Sequence, residues 1–171
     1  MLLVEFKARC ADLDAVHEKI QALDHRFVGE DHQIDTYFEV PNGRLKLREG
    51  TIEHTLIHYH RDEPAGLKTS TVTLFRPQST GLGDVLQAAL PVQIVVDKRR
   101  AIYFVGNVKL HLDSVKGLGT FVEVEAIDQD GSRSHAELAR QCEHFKQVLG
   151  IRDEDLVAGS YADLLQALQT P

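Results

Sequence analysis

Apolar and charged positions alternate with a period of two through much of this chain, and the alternation gives way only to turn residues or to helical spacing. Residues 2–9 set Val4, Phe6 and Ala8 on one side and Leu3, Glu5 and Lys7 on the other, which predicts a strand. Asp12 can cap a helix to about Leu23, where Leu13, Val16, Ile20 and Leu23 recur at helical spacing. Asp35 to Val40 reads as a strand, and Pro41-Asn42-Gly43 turns it into Arg44 to Arg48, a hairpin. Thr55 to Arg61 and Ser70 to Arg76 are further strands, separated by a polar loop with Pro64 and Gly66 and closed by Pro77. A short helix is expected over Asp84 to Leu90. Strands follow at Val92 to Arg100, Ala101 to Val105, Val108 to Asp113 and Thr120 to Ile127, with turns at Gly106-Asn107 and at Lys116 to Gly119. Ser134 and Glu137 form a capping box for a helix through Leu149, whose face is Leu138, Cys142, Phe145 and Leu149, and Gly150 is its stop signal. The tail from Asp153 to Leu168 is helical with a break near Gly159. About eight strands against three or four helices give one α+β domain over residues 1–171, with the sheet dominant.

The polar side of each strand carries ions. Residues two apart on a strand lie about 6.6–6.8 Å from one another on the same side. That geometry groups Glu5 with Lys7, Arg44 with Lys46 and Arg48, Lys98 with Arg100, Lys109 with His111 and Asp113, and Glu123 with Glu125. The alternate sides, such as Leu45 and Leu47 or Val122 and Val124, suit a hydrophobic core. For one strand alone, a charged side facing water is the ordinary reading. Taken together the strands read differently, because the net charge is −7 while ten of the nineteen Lys and Arg residues (Lys7, Arg9, Arg44, Lys46, Arg48, Arg61, Lys98, Arg99, Arg100, Lys109) fall in strands and Arg76 ends another. If the sheet closes with the ionic sides inward, cations whose donors suit phosphate oxygens surround a polyanion. Glu5, Glu123 and Glu125 would then be neighbours, an oxygen cluster of the kind that Mg²⁺ or Mn²⁺ prefers.

Composition removes other classes. An acidic chain lacks the basic face of a general nucleic-acid binder, and 6% aromatic residues without Trp offer no stacking platform. No apolar run can cross a bilayer, and the charged opening MLLVEFKARC does not resemble a signal peptide, so a soluble protein of the reducing cytoplasm is expected. Cys10 and Cys142 lack CxxC spacing and suit packing, and no G-x-S-x-G nucleophile motif is present. His58-x-His60 with His111 is a weak alternative, a three-histidine zinc site. Lys116-Gly117-Leu118-Gly119 leads into no helix and fits a turn better than a phosphate loop.

With these residues in place, the chain resembles the CYTH superfamily, which includes class IV adenylyl cyclases and thiamine triphosphatases. The resemblance runs from Leu3-Val4-Glu5-Phe6-Lys7, similar to an E-x-E-x-K opening, through Asp35-Thr36-Tyr37-Phe38, Gly43 to Glu49, Leu56 to Arg61, Lys98-Arg99-Arg100, Asp113 to Gly119 and Phe121 to Glu125, to Gly159 to Leu165. It implies a closed antiparallel eight-stranded β-barrel, the triphosphate tunnel, with flanking helices. It also implies that Glu5, Glu123 and Glu125, joined by Asp113, hold Mg²⁺ or Mn²⁺. Lys7, Arg44, Lys46, Arg48, Arg61, Lys98, Arg100 and Lys109 would hold phosphates, and Glu5, Lys7, Glu123 and Glu125 would form the catalytic set. Leu3 stands where the family's first Glu belongs, and either His60 or Arg61 takes the place of a family Lys. The implied partner is ATP, thiamine triphosphate or tripolyphosphate, not a nucleic acid or a membrane, and a homodimer is left open. A cyclase and a triphosphatase fit the same residues. A non-catalytic binder of nucleotide or polyphosphate, or a barrel for an apolar ligand, are the competing classes.

Overall fold

The computed structural model describes residues 1–62 and 67–169, the side chains of Arg61 and Asp62 excepted, so the expected loop at Pro64 and Gly66 lies outside the described residues. Among the described residues the strands are β1 (Leu2–Arg9), β2 (Arg26–Phe38), β3 (Arg44–Glu49), β4 (His54–Asp62), β5 (Lys68–Phe75), β6 (Val92–Val105), β7 (Val108–Val115) and β8 (Gly119–Asp128). The helices are α1 (Leu13–Gln21), α2 (Leu82–Ala89), α3 (His135–Leu149) and α4 (Tyr161–Gln169), with a 3-10 turn over Asp153–Asp155. The strands form a closed antiparallel barrel in the order β1-β5-β4-β3-β2-β6-β7-β8, and β8 returns to β1. An eight-stranded barrel is just wide enough to be filled by side chains or to hold one small ligand.

Two elements differ from the sequence reading. The strand expected from Asp35 begins at Arg26, because β6 supplies a ladder partner as far back as Arg26, pairing it with Phe104. The polar run Glu30-Asp31-His32-Gln33 hid it, and Asp31 and Gln33 are nonetheless buried. The segments Val92 to Arg100 and Ala101 to Val105 are one strand, since β2 pairs along nearly all of β6 and Arg99-Arg100 interrupts nothing.

The aliphatic sides of the strands lie beneath helices. Val4 and Phe6 of β1, Leu110 of β7 and Val122 and Val124 of β8 pack with Val16 and Ile20 of α1 and with Leu138, Cys142, Phe145 and Leu149 of α3. Each such side chain contributes about 1.5–3 kcal/mol when fully removed from water. α3 starts with the expected capping box between Ser134 and Glu137 and stops at Gly150, whose φ of 72° is left-handed. With the outer face committed to this core, the period of two turns Glu5, Lys7, Lys109, Glu123 and Glu125 inward. A second cluster closes one end of the barrel, where Tyr161 and Ala162 of α4 pack with Tyr37, Tyr59, Ile94, Val96, Val115 and Phe121.

Candidate functional site

The barrel encloses a cavity of about 560 Å³. It is lined by six of the expected phosphate ligands, Lys7, Lys46, Arg48, Lys98, Arg100 and Lys109, and by the carboxylates Glu5, Glu123 and Glu125. Arg44 is directed elsewhere: its Nη1 donates to Asp163 at 2.7 Å and to Ser160 Oγ at 3.1 Å, both at the start of α4. The side chain of Arg61 lies outside the described residues. His60, the alternative to it, contacts His58 at a ring-centroid distance of 5.0 Å and is exposed. The zinc reading therefore fails, because His111 is fully buried inside the barrel, away from that pair.

The interior charges form three linked groups. At the first, Asp35 accepts from Arg48 Nε at 2.8 Å, Arg48 Nη2 at 2.9 Å, Lys46 Nζ at 3.0 Å and Lys98 Nζ at 2.7 Å. Burial alone would raise the Asp35 carboxyl, but Arg48, Lys46 and Lys98 hold it well below the usual carboxylate range. Lys98 moves the other way. Burial, added to the repulsion of Arg48 and Arg100, outweighs Asp35 and draws its ammonium well below the usual lysine range.

The second group centres on Glu123, which pairs with Lys7, with Arg100 Nη2 at 2.5 Å and with His111 Nδ1 at 3.2 Å. Arg100 also holds Asp113 in a two-pronged contact at 2.7 and 2.5 Å, and Tyr161 donates its hydroxyl to Asp113 at 2.6 Å. Lys7 lies 4.1 Å from the centroid of the Tyr161 ring. The third group is Glu53, which binds Lys109, Arg48 Nη1 at 2.7 Å and Gln33 Nε2 at 3.0 Å. Asp31 fixes this loop, accepting from the backbone N–H groups of Thr51, Ile52 and Glu53 at 2.7, 3.0 and 3.0 Å.

Strand register explains these contacts. Asp35 stands opposite Arg48, Arg100 opposite Asp113, Lys7 opposite Glu123 and Glu5 opposite Glu125. The first three place opposite charges about 5 Å apart between Cβ atoms, whereas the last sets two carboxylates face to face. The cavity lining is mixed in sign: Glu5, Asp35, Glu53, Glu123 and Glu125 stand beside Lys7, Lys46, Arg48, Arg76, Lys98, Arg100 and Lys109.

Among the described residues, the donor set fits a divalent ion in one place. Ligand atoms of His111, Glu123 and Glu125 lie within 4.8 Å of one another, and Glu5 faces Glu125 across the β1–β8 ladder. Burial, then Glu123, push the Glu125 carboxyl up to about 7 against the pull of Lys109, the signature of carboxylates short of positive charge. Asp113 does not join this group, because Arg100 and Tyr161 occupy both of its oxygens. Leu3, two residues before Glu5 on the same inner side, adds a side chain without a donor.

Sequence reasoning missed several residues here. Gln33 and Asp31 share an inner side with Asp35 and Tyr37, a signal that a strand starting at Asp35 hides. Glu53 carries no periodic signal, since a turn between β3 and β4 places it. Lys68 was not marked either; it is buried and donates to the carbonyls of Val157 and Gly159 at 3.0 and 2.6 Å, binding the segment before α4.

A closed barrel with a cationic interior and a carboxylate group at one wall is matched by the model of one family, the CYTH domain, over residues 1–161. The chain belongs to the CYTH domain family. A relative from Aeromonas hydrophila, named adenylate cyclase CyaB, is 28% identical over 175 residues, spanning 95% of this chain and 88% of its own length. Among solved structures, the PH1012 protein of Pyrococcus horikoshii superposes with a TM-score of 0.76 at 25% identity, covering 95% of this chain and 98% of its own. A Hippeastrum protein, HpAC1, described as showing a dominant triphosphatase activity, shares the fold at a TM-score of 0.57 and 14% identity, over 96% of this chain and 95% of its own. Within the CYTH domain of this chain, no helix among the described residues is long and apolar enough to cross a membrane.

Proposed function

We propose that this CYTH-domain chain is a divalent-metal-dependent enzyme acting on triphosphate-bearing small molecules. The observation that carries this reading is the convergence of Lys7, Lys46, Arg48, Lys98, Arg100 and Lys109 on one enclosed cavity, beside Glu5, Glu123 and Glu125. Arginine forks and lysine ammoniums held in place by carboxylates are preorganised donors for phosphate oxygens, and a low-dielectric setting strengthens them. The carboxylate wall supports metal dependence, because Glu5, Glu123 and Glu125 would repel a tetra-anionic triphosphate unless a cation lay between them. Glu5, Glu125 and Glu123 would hold the cation, which when bound supplies positive charge against the phosphates and the leaving group.

The chain's own residues do the rest. Arg48, Lys46 and Lys98 share Asp35, so a phosphate oxygen replaces a carboxylate oxygen as their acceptor without rearranging the donors. Lys7 and Arg100, anchored by Glu123, offer charge near the carboxylate wall, where bond cleavage is favoured. Attack by water at the terminal phosphorus releases orthophosphate; attack by a ribose 3′-hydroxyl at the α-phosphorus releases pyrophosphate. The name of the Aeromonas relative favours the second reaction. A cytoplasmic setting, in which Cys10 and Cys142 stay as thiols, belongs to the same proposal.

Incubation with ATP, thiamine triphosphate or tripolyphosphate plus Mg²⁺ or Mn²⁺, with the products separated and identified, tests this reading. Cyclic nucleotide with pyrophosphate identifies a cyclase, and orthophosphate a triphosphatase. Leu3 at the family's Glu position favours one second reading, a binder without turnover. Tight binding of all three ligands with no product under any metal would select it.

A further inference from the structure

Lys98 is the most deeply enclosed lysine of the cavity wall, its side chain 1% exposed against 13% for Lys46. Its Nζ donates to Asp35 Oδ2 at 2.7 Å, but the same carboxylate accepts from Lys46 Nζ and from Nε and Nη2 of Arg48. Three cations from β3 and β6 thus share one carboxylate, and Arg100, two residues along β6, adds its repulsion. A buried cluster with more cations than anions is relieved when one of them gives up a proton. A guanidinium cannot do so, and Lys46 keeps some contact with water. The proton therefore leaves Lys98, whose ammonium is correspondingly depressed. An amine desolvated among cations on the wall of a cavity is a nucleophile.

The surroundings decide which electrophile can meet it. At 1% exposure Lys98 is closed to a modifying enzyme, and only a small molecule that enters the cavity reaches its Nζ. Lys46, Arg48 and Arg100 line the same cavity with donors suited to a phosphate group. We propose that Lys98 is a modification site for small acyl phosphates, which dock their phosphate on Arg48 and Lys46 and pass their acyl group to Nζ. The amine attacks the carbonyl carbon, an N–C bond forms, and the C–O bond to phosphate breaks. Orthophosphate leaves with the electron pair and takes up the surplus amine proton. The resulting amide is neutral and places an acyl group on the cationic wall, so acylation switches off triphosphate binding. That loss of binding rests on the reading of the cavity as a triphosphate site, whereas the reactivity of Lys98 stands on the shared carboxylate alone.

Acetyl phosphate is the probe, incubated with the full wild-type chain in excess chelator, with acylated peptides quantified by mass spectrometry over time. Lys116, whose side chain is 82% exposed, is the internal standard, since an ordinary lysine is only about 0.1% neutral near pH 7.5. Lys98 should acylate at least about tenfold faster than Lys116, through its larger neutral fraction and the docked phosphate. Saturating tripolyphosphate should block Lys98 and leave Lys116 unchanged, and calorimetry should show tripolyphosphate binding lost in proportion to the Lys98 acylated. Acylation of Lys98 no faster than that of Lys116 overturns the modification site and leaves the triphosphate reading standing. Fast acylation that tripolyphosphate does not block overturns the triphosphate reading and leaves the reactive amine standing. Full tripolyphosphate binding by chains acylated at Lys98 overturns the switch.

Discussion

Glu125→Gln isolates the carboxylate wall without relying on turnover. In the native state Glu125 holds its proton to about pH 7, against an ordinary value of 4.5, because it is buried and because Glu123 and then Glu5 repel its charge. Between these two values the folded protein binds more protons than the unfolded chain, so stability falls as pH rises. The contribution is fully present below about pH 4.5 and gone once pH passes about 7. A difference of about 2.5 pK units at 1.36 kcal/mol each amounts to about 3 kcal/mol. Gln is neutral and nearly the same size, so the variant lacks this term while every other titration is shared. Urea unfolding of both proteins in chelator, from pH 4.5 to pH 8, should therefore show wild type losing about 3 kcal/mol relative to the variant. Millimolar Mn²⁺ at pH 8 should recover that loss in wild type, by about 2.7 kcal/mol at a hundred times the dissociation constant, and do little for Glu125→Gln. Parallel pH profiles for the two proteins would refute the crowded-carboxylate argument, and with it this placement of the cation.

Four further substitutions divide the site. Glu123→Gln should abolish metal-stimulated turnover and also lower stability by about 3–5 kcal/mol, since Lys7 and Arg100 lose a buried partner; turnover at the wild-type rate removes Glu123 from the catalytic set. Arg48→Ala should weaken tripolyphosphate binding by about 2–5 kcal/mol, whereas Arg44→Ala should cost less than about 1 kcal/mol, its partner Asp163 being 31% exposed; calorimetry that reverses this order contradicts the geometry. Glu53→Gln frees Arg48 and Lys109 from a competing anion and should tighten tripolyphosphate binding about tenfold, or about 1.4 kcal/mol. Weaker binding in that variant would mean that Glu53 positions the two cations.

Period-two alternation was enough to find Leu3-Glu5-Lys7, Arg44-Lys46-Arg48, Lys109-His111-Asp113 and Glu123-Glu125 as ionic rows, because in a strand neighbouring side chains must face opposite ways. Alternation puts Glu5 and Glu123 on the side opposite Val4, Phe6, Val122 and Val124, but only closure of the barrel makes that side an interior. The capping box at Ser134 and the stop at Gly150 were equally local, and so equally legible. What a row of charges on one strand could not contain was its partner. Asp35 gathers Arg48, Lys46 and Lys98 only because β2 lies between β3 and β6; Asp113 goes to Arg100 and Tyr161, and not to the carboxylate wall, only because β6 and α4 meet β7 there. Arg44 reads like Arg48 in sequence, but it sits four residues earlier on β3, at the end that meets α4, where Asp163 takes it. Glu53 enters the site through a turn tied down by Asp31, twenty-two residues away. Local sterics set which side each residue faces, whereas ion pairing depends on distances between strands far apart in sequence, and only closure of the barrel fixes those.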